Sequence, residues 1–400
     1  MSDRHVFAST LLGLGVLATA GSEALALDKA QTEQALQFAE MQLAGLVASV
    51  GDTDRHPRTL EPDGRLRLAP PAEWTSGFYP GMLWLLHEQT KKAEWLGRAE
   101  KATAVLEAQQ SNRGTHDLGF MLYCSYGNGY RLTGDGAYKK VLLQAAETLS
   151  GRFNPHVGCI RSWDFGKWSY PVIIDNMMNL ELLFWASNAS GDPKFRDIAV
   201  RHARTTLKNH FREDGSSFHV VSYNPETGAV EEKGTHQGFS AGSAWARGQA
   251  WGVYGYTMTY RGTKDPAFLA VAVRIADFLL GHKNLPANGV PYWDFDAPDI
   301  PSAPRDASAG AIMASALLEL ATFDGVARAK YQAAADCILT SLSSPPYRSS
   351  KVGDNQGFLL GHSVGNLPGQ SEIDVPITYA DYYYVEALLR TLRGVAPAGK

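Results

Sequence analysis

The most constraining feature of this 400-residue sequence is a helical hairpin unit that recurs along the chain. In each copy an apolar helix ends in a polar turn, and an aromatic residue then begins the next, alanine-rich helix. The three clearest copies are LTGDGAY ending at Tyr138, ASGDPKF ending at Phe195 and RGTKDPAF ending at Phe268. Gly readily adopts the left-handed conformation that ends a helix. Asp is favoured as the N-cap of the helix that follows, and Pro is favoured in the first turn of that helix. Such helix pairs either stack into an open solenoid or close into a ring.

The connections between the helices favour the ring. Weaker copies of the turn lie around Trp95 and Tyr331, and successive copies are unequally spaced. The long insertions contain most of the Trp, His and paired acidic residues, which favours a closed double ring of helices with a pocket at one end. Strand-like alternation is brief, as at Ser217 to Tyr223, and no Pro-rich or Ser-rich linker divides the chain. We therefore expect one all-α domain over residues 27–395.

The first 26 residues are predicted to be a signal peptide. Met1 to His5 is short and polar, Val6 to Ala20 is apolar and small, and Ala24-Leu25-Ala26 forms an A-x-A cleavage site. The apolar run is shorter than the ~20 residues that a membrane-spanning helix needs. We expect a periplasmic or secreted protein without a membrane partner.

The charge and the cysteines exclude several classes of function. A formal net charge of −4 provides no basic field, so a nucleic-acid partner is not expected. The three cysteines lack metal-ligand spacing, and no zinc-protease, P-loop or dinucleotide motif is present. We predict no metal and no cofactor, and an acidic ligand would have to be bound by a few local cations.

Two aspartates are the candidate catalytic residues. Asp117, in THDLGF, lies just ahead of an apolar helix, and His116 beside it favours a functional role. Asp175, in VIIDNMMNL, has apolar residues on both sides, which predicts burial. Burial raises the pKa of a carboxyl group, so that it can deliver a proton near neutral pH. The alternative for either residue is a helix N-cap, although a cap does not explain the apolar flanks of Asp175.

Aromatic and cationic residues accompany these acids. Trp74, in EWTSGFYPG, is predicted to lie on a loop at a helix start, and Trp163 adds a stacking face. Arg247 and Trp251 are four residues apart and would share one helix face. A guanidinium beside an indole suits a planar carboxylate, and the alternative is an Arg buried for structure alone. Two carboxylates with aromatic platforms are typical of enzymes that act on glycosides.

These segments resemble glycoside hydrolase family 88, the unsaturated glucuronyl hydrolases, from about Trp74 to Leu389. The specific motifs are HDLGF, IIDNMMNL and WARGQAW. The resemblance implies an (α/α)6 barrel and a lyase-generated oligosaccharide substrate whose terminal uronic acid has a C4=C5 double bond. It also implies hydration of that vinyl ether, with Asp175 as general acid and base. Asp117 would lie beside it, holding the water or the ring and raising the pKa of Asp175 through like charge.

The resemblance also implies a set of substrate-binding residues. They are Trp74, His116, Trp163, His219, Gln237, Arg247 and Trp251. Members that prefer sulfated glycosaminoglycan fragments have a late Ser cluster that ends in Lys. The corresponding stretch here begins at Ser363, a further candidate, and reaches Pro368 without a Lys, so no preference for a sulfated sugar is implied.

Two alternatives stay open at this point. An unsaturated rhamnogalacturonyl hydrolase would share the barrel and the chemistry, but HDLGF together with WARGQAW argues against it. A non-catalytic glycan-binding barrel is disfavoured because both acids are present.

Overall fold

The computed structural model describes residues 26–323 and 327–393, so the predicted signal peptide up to residue 25 and the predicted domain end at 394–395 lie outside the described residues. The helical segments within these ranges are, in chain order, α1 Lys29–Val50, α2 Phe78–Thr90, α3 Ala93–Ala104, α4 (a π-helical Gly119–Gly127 continued by Asn128–Thr133), α5 Gly136–Ser150, α6 Asn176–Ser190, α7 Pro193–His210, α8 Ala246–Thr263, α9 Pro266–Gly281, α10 Ala307–Phe323, α11 Arg328–Leu342 and α12 Thr378–Arg393. Among these described helices none is long and apolar enough to cross a membrane.

The even-numbered segments form a closed inner ring. Each contacts the next, from α2 through α4, α6, α8 and α10 to α12, and α12 contacts α2. The odd-numbered helices surround them, with α3 on α2, α5 on α4, α7 on α6, α9 on α8, α11 on α10 and α1 on α12. The inner helices α8 and α10 are buried almost along their whole length, whereas the outer helices bury one face. The predicted (α/α)6 barrel is confirmed.

The turns that join the two helices of a hairpin have the predicted left-handed glycine at two of the three clear copies. Gly134 and Gly191 adopt left-handed conformations, with φ of 71° and 77°. In the third turn the left-handed residue is Lys264 instead of a glycine. In all three turns an aspartate side chain accepts a hydrogen bond from a backbone N–H in the first turn of the next helix: Asp135, Asp192 and Asp265. The caps therefore set where each outer helix begins.

Glycines let the inner segments approach each other closely. A Cβ at Gly77 would lie 2.2 Å from the backbone oxygen of Phe120, and one at Gly255 would lie 2.5 Å from Cβ of Met177. A larger residue at either position would push adjacent members of the ring apart, since a packed interior yields little.

Short strands lie in the connections that lead into the inner helices. They are β1 His56–Leu60, β2 Leu66–Ala69, β3 Phe153–Asn154, β4 Cys159–Ile160, β5 Pro171–Ile173, β6 Val220–Tyr223, β7 Val230–Gly234, β8 Ser363–Asn366 and β9 Ser371–Val375. All pairings between them are antiparallel, and β5, β6 and β7 form one sheet. Because each connection runs from an outer helix to the next inner one, the insertions lie at one end of the barrel, as the sequence predicts.

Candidate active site

The site lies where the inner helices begin. Alternation of outer and inner helices makes the inner ones parallel, so all their N-termini lie at the insertion end of the barrel. The predicted site residues fall at or beside these starts: Trp74 before α2, His116 and Asp117 before α4, Asp175 before α6, and Arg247 and Trp251 in α8. The N-terminus of a helix has a partial positive charge, which favours an anionic ligand at this end.

Asp175 is held between a strand and a helix. β5 pairs with β6, and the backbone N–H of Ile174 donates to the carbonyl of His219 over 3.1 Å, which brings these two chain segments together. The Asp175 side chain makes no capping hydrogen bond to α6. The residue is only 8% exposed, and its Oδ2 makes no hydrogen bond among the described residues. Asp175 is therefore a buried acid and not a helix cap.

The surroundings of Asp175 raise its pKa. Burial raises the pKa of this carboxyl, Arg247 opposes the rise, and the nearby Asp117 adds to it, giving a pKa of about 7. Burial dominates because the ionised form loses its hydration. A carboxyl group with this pKa holds its proton over part of the neutral range and can still release it, as a general acid must.

Asp117 is fixed by its own turn. Thr115 Oγ1 donates to Asp117 Oδ2 over 2.8 Å and accepts from the Asp117 backbone N–H over 3.0 Å. His116 Nε2 lies 3.3 Å from Asp117 Oδ1. Burial lowers the pKa of His116, although Asp117 opposes this, so the imidazole is neutral at pH 7. The turn therefore positions the Asp117 carboxylate, which makes no bond that caps α4.

The proton of His219 is placed by two backbone groups. Nδ1 accepts hydrogen bonds from the backbone N–H of His236 over 3.1 Å and of Gln237 over 3.2 Å. An accepting Nδ1 leaves the ring proton on Nε2, which lies 3.7 Å from Asp175 Oδ2. Burial lowers the pKa of His219 well below its usual value, so the ring is neutral. His219 thus presents an N–H donor beside the acid.

Arg247 is already engaged by the protein. Its Nη1 donates to Asp306 Oδ2 over 3.2 Å and to the carbonyl of Val364, and its Nη2 donates to the carbonyl of Gly365 over 2.6 Å. The guanidinium also lies over the Trp245 ring at 4.4 Å, and Arg247 is 1% exposed. These bonds join α8 to α10 and to the β8–β9 hairpin. Binding of a substrate carboxylate by Arg247 stays a prediction. Within the described part of the chain, Nε is the guanidinium nitrogen that lacks a partner.

Gln237 and Ser363 lie at the same hairpin. Gln237 Nε2 donates to the carbonyl of Gly365 over 3.0 Å, so this carbonyl accepts from both Gln237 and Arg247. Ser363 is fully buried at the start of β8, and its Oγ has no hydrogen-bond partner among the described residues. The hairpin therefore forms one wall of the site.

Trp74 and Trp251 are joined by one aromatic cluster. Phe120 lies 5.5 Å from Trp74 and 5.0 Å from Trp251, between ring centroids. Tyr379, at the start of α12, lies 5.2 Å from Trp74. Trp251 is fully buried and Trp74 is half-buried, so the cluster forms the apolar floor and one side of the site.

Trp163 is largely enclosed by neighbouring rings, and its role as a stacking face stays a prediction. It is 8% exposed, and its ring is flanked by Phe165 at 5.3 Å, His236 at 5.5 Å and Trp168 at 5.6 Å. Two side chains of this group face solvent, those of Phe165 and His236.

Buried polar atoms without a partner are concentrated at this end of the barrel. In the described part of the chain they include His116 Nδ1, Trp163 Nε1, Asp175 Oδ2, His219 Nε2, Arg247 Nε, Trp251 Nε1, Ser363 Oγ and Tyr379 Oη. Buried polar groups in folded proteins are nearly always hydrogen-bonded, because leaving one unpaired costs about 1–3 kcal/mol. So many unpaired donors and acceptors around two carboxylates indicate a site built for a polar, hydroxyl-rich ligand.

Two residues of the site were not predicted from the sequence. Asp306, in RDASAGAI, and Tyr379, in ITYADYYY, are parts of this site that residue types alone did not single out. Asp306 precedes an apolar helix and indeed accepts from the N–H of Ser308 over 3.0 Å, so its cap-like context hides the ion pair with Arg247.

Comparison with known proteins gives consistent matches. The model of Glycosyl Hydrolase Family 88 matches residues 52–391. An unsaturated glucuronyl hydrolase of Formosa agariphila is 52% identical over 324 residues, which is 80% of each chain. The crystal structure of an unsaturated glucuronyl hydrolase specific for heparin is 51% identical, with a TM-score of 0.87 over 90% of this chain and 96% of that one. A structure of a variant "UGL" with dGlcA-Glc-Rha-Glc is 34% identical, with a TM-score of 0.85 over 91% of this chain and 97% of that one.

Proposed function

Because this chain belongs to glycosyl hydrolase family 88, we propose that it removes the unsaturated uronic acid from the non-reducing end of lyase-generated oligosaccharides. The relatives named above are unsaturated glucuronyl hydrolases, and this chain covers most of their length. The chain is accordingly a glycosidase, and its substrate partner is an oligosaccharide that begins with a 4,5-unsaturated uronic acid.

The observation that carries the proposal is the state of Asp175. This carboxyl group is buried, caps no helix and keeps one oxygen without a hydrogen bond. Its pKa of about 7 suits proton donation at neutral pH. A non-catalytic glycan-binding barrel would have no use for a buried acid beside a second carboxylate, since burying such a group costs stability.

We propose the vinyl-ether hydration that the family resemblance implies, with the two acids in the following roles. Protonated Asp175 donates its proton to C4 of the C4=C5 bond, which leaves an oxocarbenium ion shared by C5 and the ring oxygen. The Asp175 carboxylate then takes a proton from a water molecule as its oxygen adds to C5. The resulting hemiketal opens to a ketone at C5, and the hemiacetal at C1 releases the remaining sugar, so one water is consumed. Asp117 orients the water or the ring, and the Nε2–H of His219 donates to the substrate beside Asp175.

A substrate screen tests this function. Purified protein mixed with unsaturated disaccharides is expected to remove the ultraviolet absorbance of the conjugated double bond. Heparin lyase products come first, because a relative at 51% identity is specific for heparin. Chondroitin, hyaluronan, gellan, ulvan and rhamnogalacturonan lyase products follow. Turnover of only the rhamnogalacturonan products would favour the rhamnogalacturonyl alternative, and no turnover of any product would refute the enzymatic function.

The pH dependence of turnover tests the role of Asp117. The value of kcat is expected to fall as the pH rises through about 7, because Asp175 then loses the proton it must donate. Asp117→Asn removes a like charge that raises the pKa of Asp175, so in this variant the alkaline fall is expected at lower pH. The measurement is kcat against pH for both proteins, with the exposed Glu94→Gln as control. An alkaline limb that stays in place would contradict this coupling.

We further propose that the protein is exported. The predicted cleavage site ends at Ala26, and Asp28 and Gln31 form a capping box at the start of α1. Both capping residues lie after the cleavage site, so α1 would keep its N-terminal cap in the processed protein. N-terminal sequencing of protein from the periplasm or medium of its bacterial host is expected to give Leu27 first. Full-length protein retained in the cytoplasm would contradict export.

A further inference from the structure

We propose that Phe165 is the stacking platform for the third sugar ring, counted from the unsaturated end, so that the site favours oligosaccharides longer than a disaccharide. This inference rests on the proposed function and adds a specificity-determining residue to it.

Phe165 is unusually exposed for an aromatic residue. Its side chain is 61% exposed, and among the large apolar side chains that are exposed in the described residues the only other aromatic one is Phe239. The Phe165 ring lies nearly parallel to that of Trp163, with an interplanar angle of 16° and centroids 5.3 Å apart. One face of Phe165 is thus supported by the protein and the other is open to solvent. Such a supported aromatic face suits the apolar face of a sugar ring.

The loop around Phe165 is fixed on both sides. Asp164, directly before it, lies 2.9 Å from Arg152 Nη1 and 3.2 Å from Arg161 Nε. Lys167, two residues after it, pairs with Glu232 of β7 over 2.6 Å. These contacts hold the ring in place before a ligand arrives, which reduces the entropy cost of binding.

A continuous row of rings leads from Asp175 to Phe165. His219 lies beside Asp175, its ring centroid is 6.4 Å from that of His236, and His236 is 5.5 Å from Trp163, which supports Phe165. The Asp175 end of the row is buried, with Asp175 8% and His219 3% exposed, whereas Phe165 at the other end is 61% exposed. His236, in the middle of the row, is also exposed. The unsaturated ring must reach the buried acid, so the sugar attached to it occupies the middle of this row. The next ring then reaches the rim at Phe165.

The test compares two substrate lengths. Phe165→Ala is expected to raise KM for an unsaturated tetrasaccharide by about 3- to 10-fold, the loss of one stacking contact. Its kcat, and its KM for the disaccharide of the same polymer, should match those of the unchanged protein. Phe165→Trp should restore the low KM for the tetrasaccharide. Phe239→Ala, which removes the other exposed large apolar aromatic ring, serves as the matched control. It should leave KM and kcat unchanged for both substrates.

The outcomes separate this inference from the proposed function. An unchanged KM for the tetrasaccharide, or an equal rise for both substrates, would overturn the role of Phe165 while the enzyme stays active. A lower kcat at unchanged KM would also overturn it, because a rim platform does not touch the reacting atoms. If the unchanged protein turns over no unsaturated disaccharide and no unsaturated tetrasaccharide, the proposed function itself fails.

Discussion

Asp175→Asn is expected to lower kcat by about 10²- to 10⁴-fold while substrate binding persists, the range that a positioned general acid contributes. Asn has nearly the shape of Asp, so the hydrogen-bonding frame around His219 and α6 should remain. It has no acidic proton for C4 and no carboxylate to accept a proton from water. The measurement is single-turnover loss of the double-bond absorbance, with calorimetric binding of the same substrate.

The same variant should change how stability depends on pH. The pKa of Asp175 in the folded protein, about 7, lies above its ordinary value of 3.8. The folded state therefore binds this proton more tightly, and the stability it provides is lost as the pH rises from about 4 through 7. Asn cannot ionise, so the free energy of unfolding of Asp175→Asn should exceed that of the unchanged protein at pH 8 by more than at pH 5. Retained turnover would assign the acid elsewhere, and an equal difference at both pH values would contradict the raised pKa.

Arg247→Met is expected to lower the free energy of unfolding by about 3–5 kcal/mol, because it leaves the Asp306 carboxylate buried without its cation. Both side chains are almost fully buried, at 1% and 0% exposed. The change also removes the donors that bind the carbonyls of Val364 and Gly365, so the β8–β9 hairpin loses its attachment to α8. Urea unfolding measures the loss.

Two companion variants make the Arg247 result specific. Arg98→Met removes the same guanidinium from an exposed pair with Glu94 and should cost at most about 0.5 kcal/mol. Adding Asp306→Asn to Arg247→Met should recover part of the lost stability, since the unpaired charge is removed. Additive losses in the double variant would show that Arg247 and Asp306 are not coupled.

The barrel was predictable from the sequence because its turns use local chemistry. Gly134 and Asp135 end one helix and cap the next through contacts within a few residues, and such signals survive in a linear sequence. The third turn shows the limit of that rule. Lys264 adopts the left-handed conformation there without being a glycine, and its backbone N–H donates to the carbonyl of Tyr260 over 2.7 Å.

The burial of Asp175 was predictable for a similar reason. The apolar residues around Asp175 report its burial, and burial sets its pKa. Arg247 was different, because its partners are carbonyls of Val364 and Gly365 and a carboxylate 59 residues away at Asp306. Every residue type has a backbone carbonyl, so the sequence does not show which carbonyls a side chain will bind. A guanidinium that binds a ligand and one that fastens a hairpin therefore look alike in sequence.

The contact between α12 and α2 has a consequence for biosynthesis. The last described helix closes the inner ring and supplies Tyr379, which packs against Trp74 from the opposite end of the chain. Until α12 has been synthesised, the apolar sides of α2 and α10 that it covers stay unpaired. The nascent chain can form its hairpins one by one, but the candidate site, which needs Tyr379 of α12, can assemble only after that helix has been made.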